Sequence, residues 1–222
     1  MQCAWQLLLQ CAGPRANHLL RTLPPSQSRA YAAAHDEGMW AAALALMGPL
    51  PGDDSELATA RLLATLPMRL GGLGLRAATR VAPAAYWASW ADALIMIAAR
   101  APGVANAAVA ALSGDHPAGA ADGCMAEARA AGELLSREGF LQRPAWAALK
   151  DGLRPQANPG AEPGEWAHGW QYFASSTREH HFRGGVVLPP SSLADRAHLR
   201  SHSGRASGVA ICGAPTAPEF EI

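Results

Sequence analysis

The sequence predicts an all-α protein, an irregular helical bundle with a loop-rich C-terminal part. Three observations lead there. The apolar half of the 222 residues is dominated by alanine, the strongest helix former. Apolar residues recur at three- and four-residue spacing, most clearly at Trp87, Trp90, Leu94 and Ile97. Alternating apolar and polar runs that would pair as strands are lacking; one short strand-like run, Val209 to Cys212, stands alone.

The elements follow in order. Trp5, Leu8, Leu9 and Ala12 lie at helical spacing, and Gly13-Pro14 is expected to stop that helix. Pro24-Pro25-Ser26 opens a second helix with Ser26 as N-cap, running to Met47 and ending at Gly48-Pro49, with Trp40, Leu44 and Met47 on its apolar stripe. A short helix from Glu56 to Thr65 takes Ser55 as N-cap. A longer one runs from about Ala77 to Arg100, with Pro83 as a bend.

Further helices are expected over Ala101–Leu112, ending at Ser113-Gly114, over Ala120–Arg137, and briefly over Pro144–Leu149. Gly152 to Gly164 is rich in Pro, Gly and Asn and reads as a loop. Glu165–Phe182 carries Trp166, Trp170 and Phe173, and Ser191–Ser201 is a polar helix capped by Ser191 or Ser192. The organisation expected is a helical domain over residues 1–113 and a helical, loop-rich, partly disordered extension over residues 114–222.

Between the third and fourth helices lies the most informative stretch, Leu66-Pro67-Met68-Arg69-Leu70-Gly71-Gly72-Leu73-Gly74-Leu75-Arg76. It is too short and too rich in glycine for a helix, and too apolar for a solvated loop. Leu70, Leu73 and Leu75 are expected in a core, with Gly71, Gly72 and Gly74 supplying positive φ.

Formal net charge is +0 and the isoelectric point about 7.1, which argues against a strong overall electrostatic partner. Positive charge is nearly all arginine, Lys150 being the only lysine. Cys3, Cys11, Cys124 and Cys212 are scattered without a CxxC, the usage of reduced thiols in an intracellular protein, nuclear or cytoplasmic. No run approaches a membrane span, since Arg100 and Pro102 close the apolar stretch after Trp87. Met1 to Gly13 lacks the basic start of a signal peptide and reads as part of a helix.

Catalytic patterns are thin. His180-His181, His198, His202 and Cys212 invite a metal site, and His198 and His202 have a legitimate i, i+4 spacing, but no HExxH or paired cysteines accompany them; no metal or cofactor is expected. Asp53-Asp54 resembles a carboxylate pair, yet its place before a helix suits capping. Neither a GxSxG, a Walker-type GxxxxGK nor a dinucleotide GxGxxG occurs. Arg69, Arg76 and Arg80 flank the glycine-rich turn and form the best local basic cluster, with Arg76 and Arg80 expected one helical turn apart on one face. Phosphate contact is one role for them; keeping an apolar turn soluble is the other. Trp87 and Trp90 lie on the core stripe and are expected to pack, not to stack on bases.

Several of these segments together resemble one family. Leu7 to Arg21, containing Gln10-Cys11-Ala12-Gly13-Pro14, resembles the segment after the polymerase palm in non-LTR retrotransposon (LINE-type) reverse transcriptases, where it leads into a helical thumb. Ala34-His35-Asp36-Glu37-Gly38-Met39-Trp40 is similar to the next thumb helix. Leu66 to Arg76 is similar to the LPxxxGGLGL element that follows, and Ala84 to Asp92 resembles the post-thumb helix of related retroelement-derived proteins. The resemblance covers roughly the first hundred residues and rests on the order and spacing of several weak motifs. It implies a thumb-like domain over residues 1–113 that grips an RNA/DNA template–primer duplex by its backbone, with the rest of a polymerase polypeptide as partner and Arg69, Arg76 and Arg80 as phosphate contacts. The chain departs from the family where activity resides: the aromatic-x-Asp-Asp metal motif and the upstream aspartate of the palm are not in this sequence. The resemblance therefore implies a non-catalytic fragment, not an enzyme. A helical protein-interaction scaffold with no nucleic-acid role is the other reading that neutral charge and alanine-rich helices support.

Overall fold

A computed structural model describes residues 2–50, 52–115, 122–155 and 168–204. Among them every regular element is helical, which is the all-α class. The run Val209–Cys212 and residues 165–167 of the expected Trp166 helix lie outside the described residues.

The first helix, α1 (Gln2–Leu7), does not end at Gly13-Pro14. It passes through a π-turn over Leu8–Ala12 and a 3-10 turn over Gly13–Ala16 into α2 (Asn17–Thr22). Gly13 keeps helical backbone angles, φ −54° and ψ −48°, and its N–H reaches back to the Leu8 carbonyl. Pro14 then falls in the first turn of the following helical segment, where its missing N–H needs no acceptor.

Helix α3 (Pro25–Met47) begins on proline, and Gly48 stops it at φ 81°. Ser26 is already inside the helix and is not its N-cap; its N–H and hydroxyl both donate to the Glu127 carboxylate. Helix α4 (Asp54–Ala64) is capped by Asp53, two residues before the expected cap Ser55. Asp53 Oδ1 accepts from Ser55 N and Glu56 N, each at 2.9 Å, and Glu56 Oε2 accepts from Asp53 N at 3.1 Å, a reciprocal capping box.

Helix α5 (Ala78–Arg100) continues through Pro83. It starts well upstream of Trp87, which corrects the expectation about membrane-spanning runs: its 23 residues are long and apolar enough to cross a membrane, and half of its most apolar window is buried within the protein. Helices α6 (Pro102–Ser113), α7 (Asp122–Arg137), α8 (Trp146–Lys150), α9 (Trp170–Phe182) and α10 (Leu193–Ser201) follow. Gly114, at φ 84°, closes α6, and Ser192 with Asp195 forms the capping box that opens α10.

The chain divides into two compact units interleaved in sequence. One takes residues 17–33 and 78–181. Its core forms around α5, which packs against α2, α6, α7 and α8. Trp87 is fully buried at its centre, with Phe140, Trp146 and Trp170 at ring-centroid distances of 5.4, 5.9 and 6.1 Å. Rings at such separations, two of them edge-on, add to the area they bury. Leu94 and Leu135 complete this core, and Trp90 packs at its margin.

The other unit takes residues 1–16, 34–77 and 182–222. It holds two apolar clusters. Trp5, Leu8, Met39, Trp40 and Leu75 form one, with Leu44 and Met47 of the predicted stripe packed against it. Leu66, Leu70, Val187 and Leu199 form the second. The glycine-rich turn contributes to both.

Candidate nucleic-acid interface

The turn from Leu66 to Arg76 is built by its own backbone. Pro67 leads into a single 3-10 turn over Met68–Leu70, and Gly71 closes it at φ 93°. Gly74 N donates to Leu66 O at 2.9 Å, and Leu75 N to Ala64 O at 3.1 Å, so the chain folds back on the end of α4. Gly71 and Gly74 hold the positive φ expected of them.

Gly72 does not, and its role is steric: a Cβ there would stand 2.2 Å from Leu66 O and 2.6 Å from Leu63 O. The leucines then part company. Leu66 and Leu70 go to the cluster with Val187 and Leu199, whereas Leu75 goes to the Trp40 cluster with Leu73 at its edge. The Gly204 N–H donates to Arg69 O at 3.1 Å, so the chain following α10 lies across the turn.

Arg69 and Arg76 both belong to this unit. Arg69 is half-buried within the 3-10 turn, and Arg76 is exposed where the turn ends. Arg76 precedes the first residue of α5, so the expected shared helix face with Arg80 does not form. Arg80 belongs to the other unit. Its Nε donates to Glu179 Oε2 at 2.9 Å, the two side chains being 10% and 1% exposed.

This ion pair has a companion that sequence reasoning missed. Arg178, the residue before Glu179 on α9, places its Nε 2.9 Å from Glu138 Oε2, and its Nη2 donates to Glu138 Oε1. Burial pulls the Arg178 guanidinium below its ordinary range, with Glu138 opposing. Neither partner pair is near in sequence, so the only available signal was the acid-base dipeptide Arg178-Glu179.

An open groove of about 500 Å³ runs beside these pairs, between α9 and the turn after α7. Phe173, Thr177, His180 and His181 line one wall, and Gly139 and Leu141 the other. Glu138 also lines it but is already engaged by Arg178. Among the described residues no group of three or more His, Cys, Asp or Glu side chains could hold a metal ion. His198 and His202 belong to the other unit from His180 and His181, and Cys212 lies outside the described residues. Cys3, Cys11 and Cys124 are exposed and unbonded. Asp53 and Asp54 sit at the start of α4, with Asp53 acting as the cap already described.

No family model matches the chain, and neither curated proteins nor solved structures give a match.

Proposed function

We propose that this chain is a non-catalytic helical module of reverse-transcriptase-like descent that contacts the backbone of an RNA/DNA duplex. The observation that carries the reading is the glycine-rich turn, lying between α4 and α5 as the LPxxxGGLGL element lies between thumb helices. A turn closed by its own backbone hydrogen bonds holds Arg69 and Arg76 at fixed places on one rigid element. Positioned arginines contact phosphate oxygens without reading sequence. Arg80 Nε donates to Glu179, so in this reading it also orients α5 against α9.

A fluorescence titration with an RNA/DNA hybrid at several salt concentrations tests it. Each phosphate contact contributes close to one unit to the slope of log K against log salt, so Arg69→Ala with Arg76→Ala should flatten the slope by about two. An unchanged slope would reject the contact assignment.

A specific observation favours a second reading, a scaffold with no nucleic-acid role. Arg21, Arg61, Arg80 and Arg178 are each paired with a carboxylate of the chain itself, Asp92, Glu37, Glu179 and Glu138. Guanidinium groups so engaged leave less charge for phosphate. Failure of the folded protein to bind the hybrid even at low salt would select this reading.

A further inference from the structure

The glycine-rich turn and the end of α10 are far apart in sequence but meet within one unit. Leu199 is buried with Leu66 and Leu70. A Cβ at Gly71 would stand 2.8 Å from Leu199 O and 3.2 Å from Ser203 Oγ, and Gly204 N donates to Arg69 O at 3.1 Å. Backbone thus meets backbone between the turn and the stretch from Leu199 to Gly204, and Gly71 leaves room for the approach. Arg200 follows Leu199 directly, and Arg69 precedes Gly71 by two residues.

The two segments share a sign of charge. Residues 66–76 and 182–204 hold Arg69, Arg76, Arg183, Arg196 and Arg200 against a single carboxylate, Asp195. Asp195 lies in the first turn of α10, where it accepts from Ser192 N and Ser192 Oγ, whereas Arg200 lies in the last turn. The formal net charge of +0 therefore conceals a local excess of positive charge. Such an excess attracts a polyanion whatever the balance of the whole chain.

The arginines of α10 differ in what they already bind. Arg196 Nε donates to the carbonyls of Leu188 and Ser191, which ties down the chain before the helix. Arg200 is exposed, and among the described residues its side chain takes part in no ion pair or hydrogen bond.

We propose that the last turn of α10 is a second wall of the surface that contacts the duplex, with Arg200 as its phosphate-binding residue. The inference rests on the function proposed above and adds a contact that is remote in sequence. Leu199 fixes the wall to the turn, and Arg200 supplies uncommitted charge beside it. A phosphate contact needs a positioned cation and no base edge, so a long exposed arginine on an anchored helix end suffices. The apolar residue of that helix end, Leu199, is buried. The wall therefore offers charge without an apolar side chain to insert into lipid, which suits a duplex better than an anionic membrane.

The test uses the full chain and an RNA/DNA hybrid titrated at several salt concentrations. Arg200→Ala should flatten the slope of log K against log salt by about one, and the triple variant with Arg69→Ala and Arg76→Ala by about three. Arg200→Lys keeps the charge and should keep the slope. Arg29, an exposed arginine of α3 in the other unit, is the control, and Arg29→Ala should leave the slope unchanged. An arginine in a last helical turn also complements the helix dipole, so circular dichroism should confirm that each variant keeps its helix content. An unchanged slope in Arg200→Ala, with the Arg69 and Arg76 variant still flattened, would overturn this proposal and leave the function reading standing. Equal flattening by Arg29→Ala, or tighter binding to phosphatidylserine vesicles than to the hybrid, would also overturn it. No binding of the hybrid by the wild-type chain at low salt would remove both.

Discussion

Arg80 Nε donates to Glu179 Oε2 at 2.9 Å inside a helical core, and Glu179 keeps only 1% of its side-chain surface exposed. Removing one partner takes this ion pair away from a buried charge. Arg80→Ala should therefore destabilise its unit by about 3–5 kcal/mol. Replacing both partners by apolar residues, Arg80→Met with Glu179→Leu, should cost much less, since desolvation of both charges is then avoided. Urea denaturation followed by circular dichroism measures both. A loss below about 1 kcal/mol for Arg80→Ala would mean that the pair behaves as an exposed surface bridge.

The glycines separate by mechanism. Gly72→Ala places a methyl 2.2 Å from Leu66 O and 2.5 Å from Leu66 Cβ, with backbone on the receiving side, and should be among the most damaging single substitutions in its unit. Gly38 lies within α3, has ordinary helical φ, and a Cβ there meets nothing within 4 Å. Gly38→Ala should stabilise by about 0.5–1 kcal/mol through helix propensity. Thermal melts of the two variants should move in opposite directions.

Capping of α4 is resolved by a pair of substitutions. Asp53→Ala removes the acceptor of two backbone N–H groups and should cost about 0.5–2 kcal/mol. Ser55→Ala, one position into the helix proper, should cost no more than a few tenths of that scale. A larger effect at Ser55 than at Asp53 would move the helix start.

Two carboxylates report on acid. The Arg61 hydrogen bond holds Glu37 below its ordinary value of 4.5, and the Ser192 hydroxyl and backbone N–H hold Asp195 below 3.8. A depressed folded pKa favours the folded state above the unfolded pKa, and that contribution is lost as pH falls through the folded pKa. The contacts of Glu37 with Arg61 and of Asp195 with the start of α10 should thus persist at pH 5 and disappear in strong acid. Carbon-detected NMR titration of the two carboxyl groups should give midpoints below 4.5 and 3.8; a midpoint at or above those values would contradict the geometry.

What was legible in the sequence was what local chemistry decides. Gly48 and Gly114 end their helices as expected, since a left-handed residue after the last turn depends only on neighbours. Ser192 was readable for the same reason. Asp53 was readable in principle, because Asp-x-x-Glu over Asp53 to Glu56 is the capping-box spacing, but the serine two residues later competes for the same role. Gly13-Pro14 misled because a proline that stops one helix is equally suited to begin another.

The candidate site was less legible. That Arg69, Leu70 and the glycines form a folded, partly buried turn could be read from composition. That Arg80 faces Glu179 and that Gly72 faces Leu66 could not, because helical periodicity locates a face without naming what lies opposite. Arg76 illustrates the limit: it lies before the helix start at Ala78, so its four-residue spacing to Arg80 does not become a shared helix face.

The leucines of the glycine-rich turn also set an order of events on the ribosome. Leu73 and Leu75 join residues that have already emerged, Trp5, Leu8 and Trp40, whereas Leu66 and Leu70 wait for Val187 and Leu199. Contacts so distant in sequence form slowly and leave apolar surface open meanwhile. A nascent chain that has not yet delivered residues 182–204 carries two uncovered leucines beside a finished cluster.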